Sequence, residues 1–149
     1  MTLPAVQTPS GLAEAWIYQQ LANDATLRGL IGSQLYAGVA PEGATYPMVV
    51  VQYLSALDTT AMDNSRVLTN LRYAVHCADR VGSILGLDAI AARVDALLHG
   101  QRNFAFTSGA RMLNCQRERP IVLFNQVAGV PTREVTNVYA LVVQEVVDT

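Results

Sequence analysis

Lysine is absent from this 149-residue sequence, and its ten basic residues are all arginine. Twelve acidic residues outnumber them, leaving a net charge of −2. A protein whose main task is to grip a phosphate backbone needs a concentrated basic face, so that function is excluded as the principal one. Arginine suits protein interfaces, because its planar fork bonds in pairs and is weakly hydrated. Codon usage in a GC-rich genome would give the same bias.

Cysteine is almost absent too. Cys77 and Cys115 stand alone, which rules out a disulfide framework or a cysteine metal site. Two histidines, far apart in sequence, make a metal centre improbable on composition. No uninterrupted apolar run approaches the roughly 18 residues of a membrane-spanning helix, and the first residues lack the basic and apolar regions of a signal peptide. The expectation is a soluble product made in the cytoplasm, without metal, cofactor or membrane. Charged residues are 15% of the chain against 51% hydrophobic. The usual charged share is about 25%. Either part of the surface is covered by partners, or the core is large and the exterior rich in neutral polar residues.

The length fits one domain, 1–149, and residues 1–9, with two prolines and no periodicity, read as a flexible arm. Ser10 offers an N-cap for a helix over 10–22, with Leu12, Ala13, Trp16, Ile17 and Leu21 on one stripe. Asp24 caps a second short helix, 25–31, closed by Gly32. An extended piece follows at Leu35–Val39, then a proline-bounded turn at 40–47, then a strand at Met48–Leu54. Residues 56–64 read as a polar loop. Ser65–Cys77 alternates as a long strand, with Val67, Thr69, Leu71, Tyr73, Val75 and Cys77 on its apolar face. Asp79 can cap the main helix, in which Ile84, Leu87, Ile90, Ala91, Val94, Leu97 and Leu98 form the buried stripe and Arg93 and Asp95 lie opposite. Gly82 and Gly86 favour a late start.

Beyond Gly100, strands are expected at Asn103–Thr107, Met112–Glu118 and Ile121–Val127, the last two parted at Pro120 by a break or an edge position. A loop at 128–132 leads to a final strand, Arg133–Val147, whose apolar centre suits a strand covered on both sides. The order gives an α+β fold: a mainly antiparallel sheet with an N-terminal helix and one main helix packed on it.

No catalytic constellation emerges. His76 and Cys77 are strand neighbours and face opposite sides, so they cannot act as base and nucleophile together. His99, at a helix C-terminus, suits the dipole as a cation. Asp58 and Asp63 share a loop but lack the ligand spacing of a calcium loop. No phosphate-binding or nucleophile-elbow motif is present.

One segment is more informative. LYAGVAPEGATYPMVVVQYLSA (35–56), the strand LTNLRYAVHCAD (68–79) and an alanine-rich helix ending ALLHG (96–100) follow one another. Together they resemble the tail-terminator family of long-tailed bacteriophages, also called tail completion or head-to-tail joining proteins. Ala40, Pro41, Gly43, Ala44 and Pro47 match that family's turn. Ala89, Ala91, Ala92, Ala96, Leu97 and Leu98 match its helix. The resemblance implies a non-enzymatic virion protein of the tail and neck. It implies a ring-shaped homo-oligomer, a hexamer, that caps the tail tube protein and meets the head-tail connector or stopper. DNA would touch it only in passing through the lumen.

Expected contact segments are the 40–47 turn, the 57–65 loop and the 101–111 and 128–134 connections. Candidate interface residues are Pro41, Glu42, Tyr46, Asp58, Asp63, Arg66, Arg72, Arg102, Arg111 and Arg133. The arginines are expected to pair with Glu42, Glu118 or Glu134 across subunit contacts rather than with DNA, and Arg66 and Arg72 to serve assembly more than folding. Another neck component or a tail-tube subunit is the alternative. A small hydrolase or ligand-binding domain would have to rest on His76, His99 or Asp63.

Overall fold

The computed structural model describes residues 8–63, 66–80, 84–106, 109–127 and 130–144. Helix α1 spans Pro9–Ala22 and α2 Ala25–Ile31; strand β1 is Leu35–Ala37, β2 Met48–Thr60 and β3 Arg66–Arg80. Helix α3 is Ile84–Leu98, followed by β4, Arg102–Ala105, β5, Arg111–Val127, and β6, Val130–Gln144. The six strands form one curled sheet in the order β1-β2-β3-β6-β5-β4. The fold is α+β, but the sheet is mixed: β1 runs parallel to β2 and every other pairing is antiparallel.

The α1 cap lies two residues earlier than Ser10. Thr8 Oγ1 accepts from the Gly11 N–H at 3.2 Å, and Pro9, whose fixed φ suits a first helical turn, opens the helix. Thr8 and Pro9 therefore belong to the helix start and not to an arm; residues 1–7 lie outside the described part. Helix α2 forms where its sequence signals put it. Asp24 Oδ2 accepts from the Leu27 N–H at 2.8 Å, and Gly32, at φ 64°, donates to the Arg28 carbonyl. Asp79, by contrast, is the next-to-last residue of β3, buried, and accepts from the Arg80 N–H. Among the described residues it caps no helix, and α3 starts only at Ile84.

Several strands run differently from the sequence reading. The first extended piece stops at Ala37. β2 continues through Thr60, because β3 offers a ladder to residues that look like polar loop on their own. β5 passes through Pro120 unbroken, with a register shift between Arg117 and Arg119. Pro120 is tolerated because β4 pairs only with the start of β5, leaving the proline on an open edge. β4 ends at Ala105. The last strand starts at Val130, so Val130–Thr132 are strand rather than loop, while 128–129 and 145–147 lie outside the described residues.

β6 is central, paired with β3 and β5, but it is not covered by helices on both sides. The core draws on alternate residues of one sheet face: Val49 and Val51, Leu71 to Cys77, Met112 and Cys115, and Tyr139 to Val143. These join Leu12, Trp16, Ile17 and Leu21 of α1, Leu27 of α2, and Leu87, Ile90, Val94 and Leu98 of α3. On the opposite face small side chains such as Ala74 and Val138 are also buried. Burying each large side chain of this cluster stabilises the fold by about 1.5–3 kcal/mol.

Two tyrosines tie helices to the sheet centre. Tyr73 and Tyr139 are register partners, both fully buried. Tyr73 donates its hydroxyl to the Ser10 carbonyl of α1 at 2.6 Å, and Tyr139 to Asp95 of α3 at 3.1 Å. Burial pushes both phenols well above the ordinary tyrosine range. Arg93, expected opposite the buried stripe, keeps 35% of its side chain exposed and still joins two helices. Its guanidinium takes both oxygens of Asp24, at 2.8 and 2.6 Å, and clamps α3 to α2. That fork holds the Asp24 carboxyl down at about 2.

Candidate assembly surface

The candidate residues fall into three places. At the end of the sheet where β2 turns back to β3 are Asp58, Asp63, Arg66 and Arg111. Thr60 pairs with Arg66 there, and Arg111 reaches the same level through Gln144, opposite Leu68. Asp58 is a strand residue and accepts from Thr69 Oγ1 at 2.8 Å. Asp63 sits exposed in the turn after β2, and the side chain of Arg66 lies outside the described part. Arg102, on β4, is exposed opposite Asn114.

At the far end lie Pro41, Glu42, Tyr46 and Arg133. Pro41 and Glu42 are exposed in the turn between β1 and β2, and Tyr46 is half-buried. The turn is held by Gly38 and Gly43, both at positive φ, by Gly38 donating to the Val51 carbonyl at 2.7 Å, and by Thr45 donating to Gln34 Oε1 at 3.2 Å. It lines a shallow hollow with Val50, His76 and Glu134 on the helix-free face. Arg133 pairs in register with Asp79 and Phe124 and is half-buried.

Arg72 lies midway along the helix-free face. Its Nε donates to both oxygens of Glu118 at 3.0 Å, so the pairing expected between subunits is made within the chain, across β6.

The residues with potential chemistry are dispersed. His76 lies on the helix-free face, with Nδ1 bonded to Glu134 and Thr136 and Nε2 to Gln52. The His76 contact holds Glu134 below its ordinary range. Cys77 points into the core, and burial pushes its thiol, like that of Cys115, up to about 12, so neither is a ready nucleophile. His99 follows α3, and its Nδ1 accepts from the Arg117 N–H at 2.9 Å. Among the described residues no group of three or more His, Cys, Asp or Glu could hold a metal, and no helix is long and apolar enough to cross a membrane.

The sequence reading missed the exposed apolar side chains at the sheet edges. Tyr53, Leu54, Leu57 and Met62 are exposed on β2 and the turn after it, and Phe104 and Ile121 on the opposite side. Beside Phe104, which packs on Trp16 and Phe106, is a cavity of about 320 Å³ lined also by Leu12 and Gln19. The signal was the isolated leucine and methionine in a stretch otherwise polar, which composition averages away.

The model of the family described as tail completion protein gp17 matches residues 15–142. The chain belongs to this family. A tail completion protein is a structural component of a phage virion tail and not an enzyme. The match covers the whole sheet except the last two residues of β6, so it also includes the 101–132 stretch that the sequence resemblance left uncovered. The fold is similar to a chain of the virion of a native gene transfer agent particle. That chain is 20% identical, with a TM-score of 0.71, over 87% of this chain and 92% of that one. A second solved chain, known only by a sequence identifier, is 12% identical with a TM-score of 0.59, over 95% of this chain and 100% of that one. No curated protein matches the sequence.

Proposed function

We propose that this tail completion protein is a ring-forming terminator. Copies of the chain, each acting as one unit, close into a hexameric ring that ends the tail tube and joins it to the head connector, with DNA passing through the lumen. The observation that carries the reading is the placement of exposed apolar side chains on both lateral edges of one sheet. Tyr53, Leu54 and Leu57 lie on one edge, and Phe104 and Ile121 on the other. Two different patches on opposite sides make a heterologous contact, which generates a ring if the rotation closes. The strand ends then face along the ring axis. The turn that follows β2 then faces one neighbouring ring, and the 40–47 turn between β1 and β2 faces the other.

Electron microscopy of the purified protein, and of the virion neck, tests this. Rings of six at the head-tail junction are expected. A strictly monomeric particle absent from the neck overturns the reading, and filaments that lengthen on concentration would favour a tail-tube subunit instead.

A further inference from the structure

The two lateral edges are stepped, and the steps are complementary. On one side β1 covers only Val49–Val51 of β2, and no other described strand lies beside β2 from Gln52 to Thr60. On the other side β4 covers β5 only between Arg111 and Asn114, leaving Gln116–Val127 with no described strand outside them. Open strand edges carry unmet backbone donors and acceptors and are templates for pairing with another chain. Ile121–Val127 reads IVLFNQV, without charge, proline or glycine, the composition that most needs a partner.

The registers show how the steps are placed. Arg102 of β4 stands level, through Asn114, Val142 and Asn70, with Leu57 of β2. Phe104 stands level, through Met112, Val143 and Thr69, with Asp58. Toward the other end, Ile121 stands level, through Thr136, His76 and Val50, with Tyr36 of β1. So β4 protrudes at the height where the β2 edge is open, and β1 protrudes where the β5 edge is open. A second copy set alongside with no slip along the strands brings β4 beside the outer part of β2 and β1 beside Pro120–Val122 of β5 at once. The irregular part of β5, with its register shift at Arg117 and Arg119 and its Pro120, falls at the junction between the two steps.

We propose that neighbouring copies join edge to edge. β4 of one copy pairs with the outer half of β2 of the next, and β1 of the next pairs with β5 of the first. Counting reversals across the sheet, β4 meets β2 parallel and β5 meets β1 antiparallel. Leu57, exposed and on the helix-free face, lies beside Arg102, whose aliphatic stem covers it; Phe104 lies beside Asp58 on the helix face. Six of the nine exposed large hydrophobic side chains among the described residues, Tyr53, Leu54, Leu57, Met62, Phe104 and Ile121, sit on these two edges or the turn that continues them. The joint uses different surfaces on the two copies, so it repeats around an axis, and closure pairs a part of each open edge with a neighbour. This interface rests on the ring reading and specifies how the ring is held.

The test is the double variant Leu57→Cys/Arg102→Cys, oxidised and run without reductant. Paired strands lie about 4.8 Å apart, within the Cα separation a disulfide spans. Native Cys77 and Cys115 are buried and contribute little background. The expected result is a covalent ladder ending at the size of the native assembly, with neither single variant giving one. Rings of normal size without a ladder, from this pair and from Asp58→Cys/Phe104→Cys alike, overturn the edge joint while leaving the ring standing. Absence of any ring in the unmodified protein overturns the ring reading itself. Dimers from Leu57→Cys alone would mean two-fold pairing of β2 edges and overturn the proposal. As a second measurement, Leu57→Asp is expected to raise the concentration needed for assembly at least tenfold, with the thermal midpoint of the dissociated chain unchanged. A lowered midpoint with unchanged assembly would count against it.

Discussion

The centre and the margins of this sheet are built differently. β3 and β6 pair over an unbroken register from Leu68 opposite Gln144 to Arg80 opposite Thr132. The flanking pairs, β2 with β3 and β5 with β6, each carry two register shifts. Bulges of this kind bend a strand and increase its twist, so the margins curl while the centre stays regular. The burial follows the same division. Leu71, Tyr73, Val75, Tyr139, Leu141 and Val143 are fully buried, whereas Gln52–Thr60 and Gln116–Ile121 are exposed. The centre serves the core. The margins leave backbone and apolar surface open, which is what a subunit of a larger assembly requires.

Truncation at the centre tests that division most sharply. Leu141→Ala removes a side chain with no exposed surface. It is expected to cost roughly 3 kcal/mol, lowering the midpoint of thermal unfolding by about 10 °C in a chain of this size. A loss below about 1 kcal/mol would mean that the centre collapses around the cavity and is less rigid than its register suggests. Tyr73→Phe is a smaller change at the same place. It strips the hydroxyl that reaches the Ser10 carbonyl and should cost about 1 kcal/mol, read by urea unfolding.

The centre-facing helices also predict an acid limb. Asp24 is held at about 2 first by the hydrogen bonds from Arg93, helped by the Leu27 N–H. Its folded pKa therefore lies below the unfolded one. The stabilisation is complete above the unfolded carboxyl pKa of about 4 and is lost as pH falls from there toward 2. Glu134, held low first by His76, acts in the same direction. Thermal midpoints measured across this range should fall more steeply for the native chain than for Arg93→Leu. Parallel curves would show that the α2–α3 clamp contributes nothing.

The same division explains what could be read from the sequence. The alternation of Val67 to Cys77 and the stripe from Leu87 to Leu98 are written by burial, and the structure follows both. α2, with Asp24 before it and Gly32 after it, is local chemistry and was legible to the residue. The margins were not. Asp58, Thr59 and Thr60 look like loop because nothing in their own side chains demands a strand; the ladder comes from β3. Pro120 looks like a break because the sequence does not say that β4 is too short to reach it. Of the candidate residues, Arg72 was legible as an ion-pairing side chain, but its partner, Glu118, lies across an intervening strand and is fixed only by the sheet order.

The last two tests belong to the margins, where small effects on folding are expected. Arg72 and Glu118 are 53% and 33% exposed at the side chain, so their pair is screened by water. Arg72→Ala should cost about 0.2–1 kcal/mol, and less in high salt. Leu57 is 70% exposed on an open edge. Leu57→Ala should leave the stability of the isolated chain within about 0.5 kcal/mol of the native value. Both are read by urea unfolding below the assembly concentration. If either cost 2 kcal/mol or more under those conditions, its side chain would be part of the fold's own packing, and the contrast between a self-sufficient centre and partner-seeking margins would fail at that residue. If both stay small while assembly suffers only in the Leu57 variant, the helix-free face is solvated trim and the edge is the contact surface.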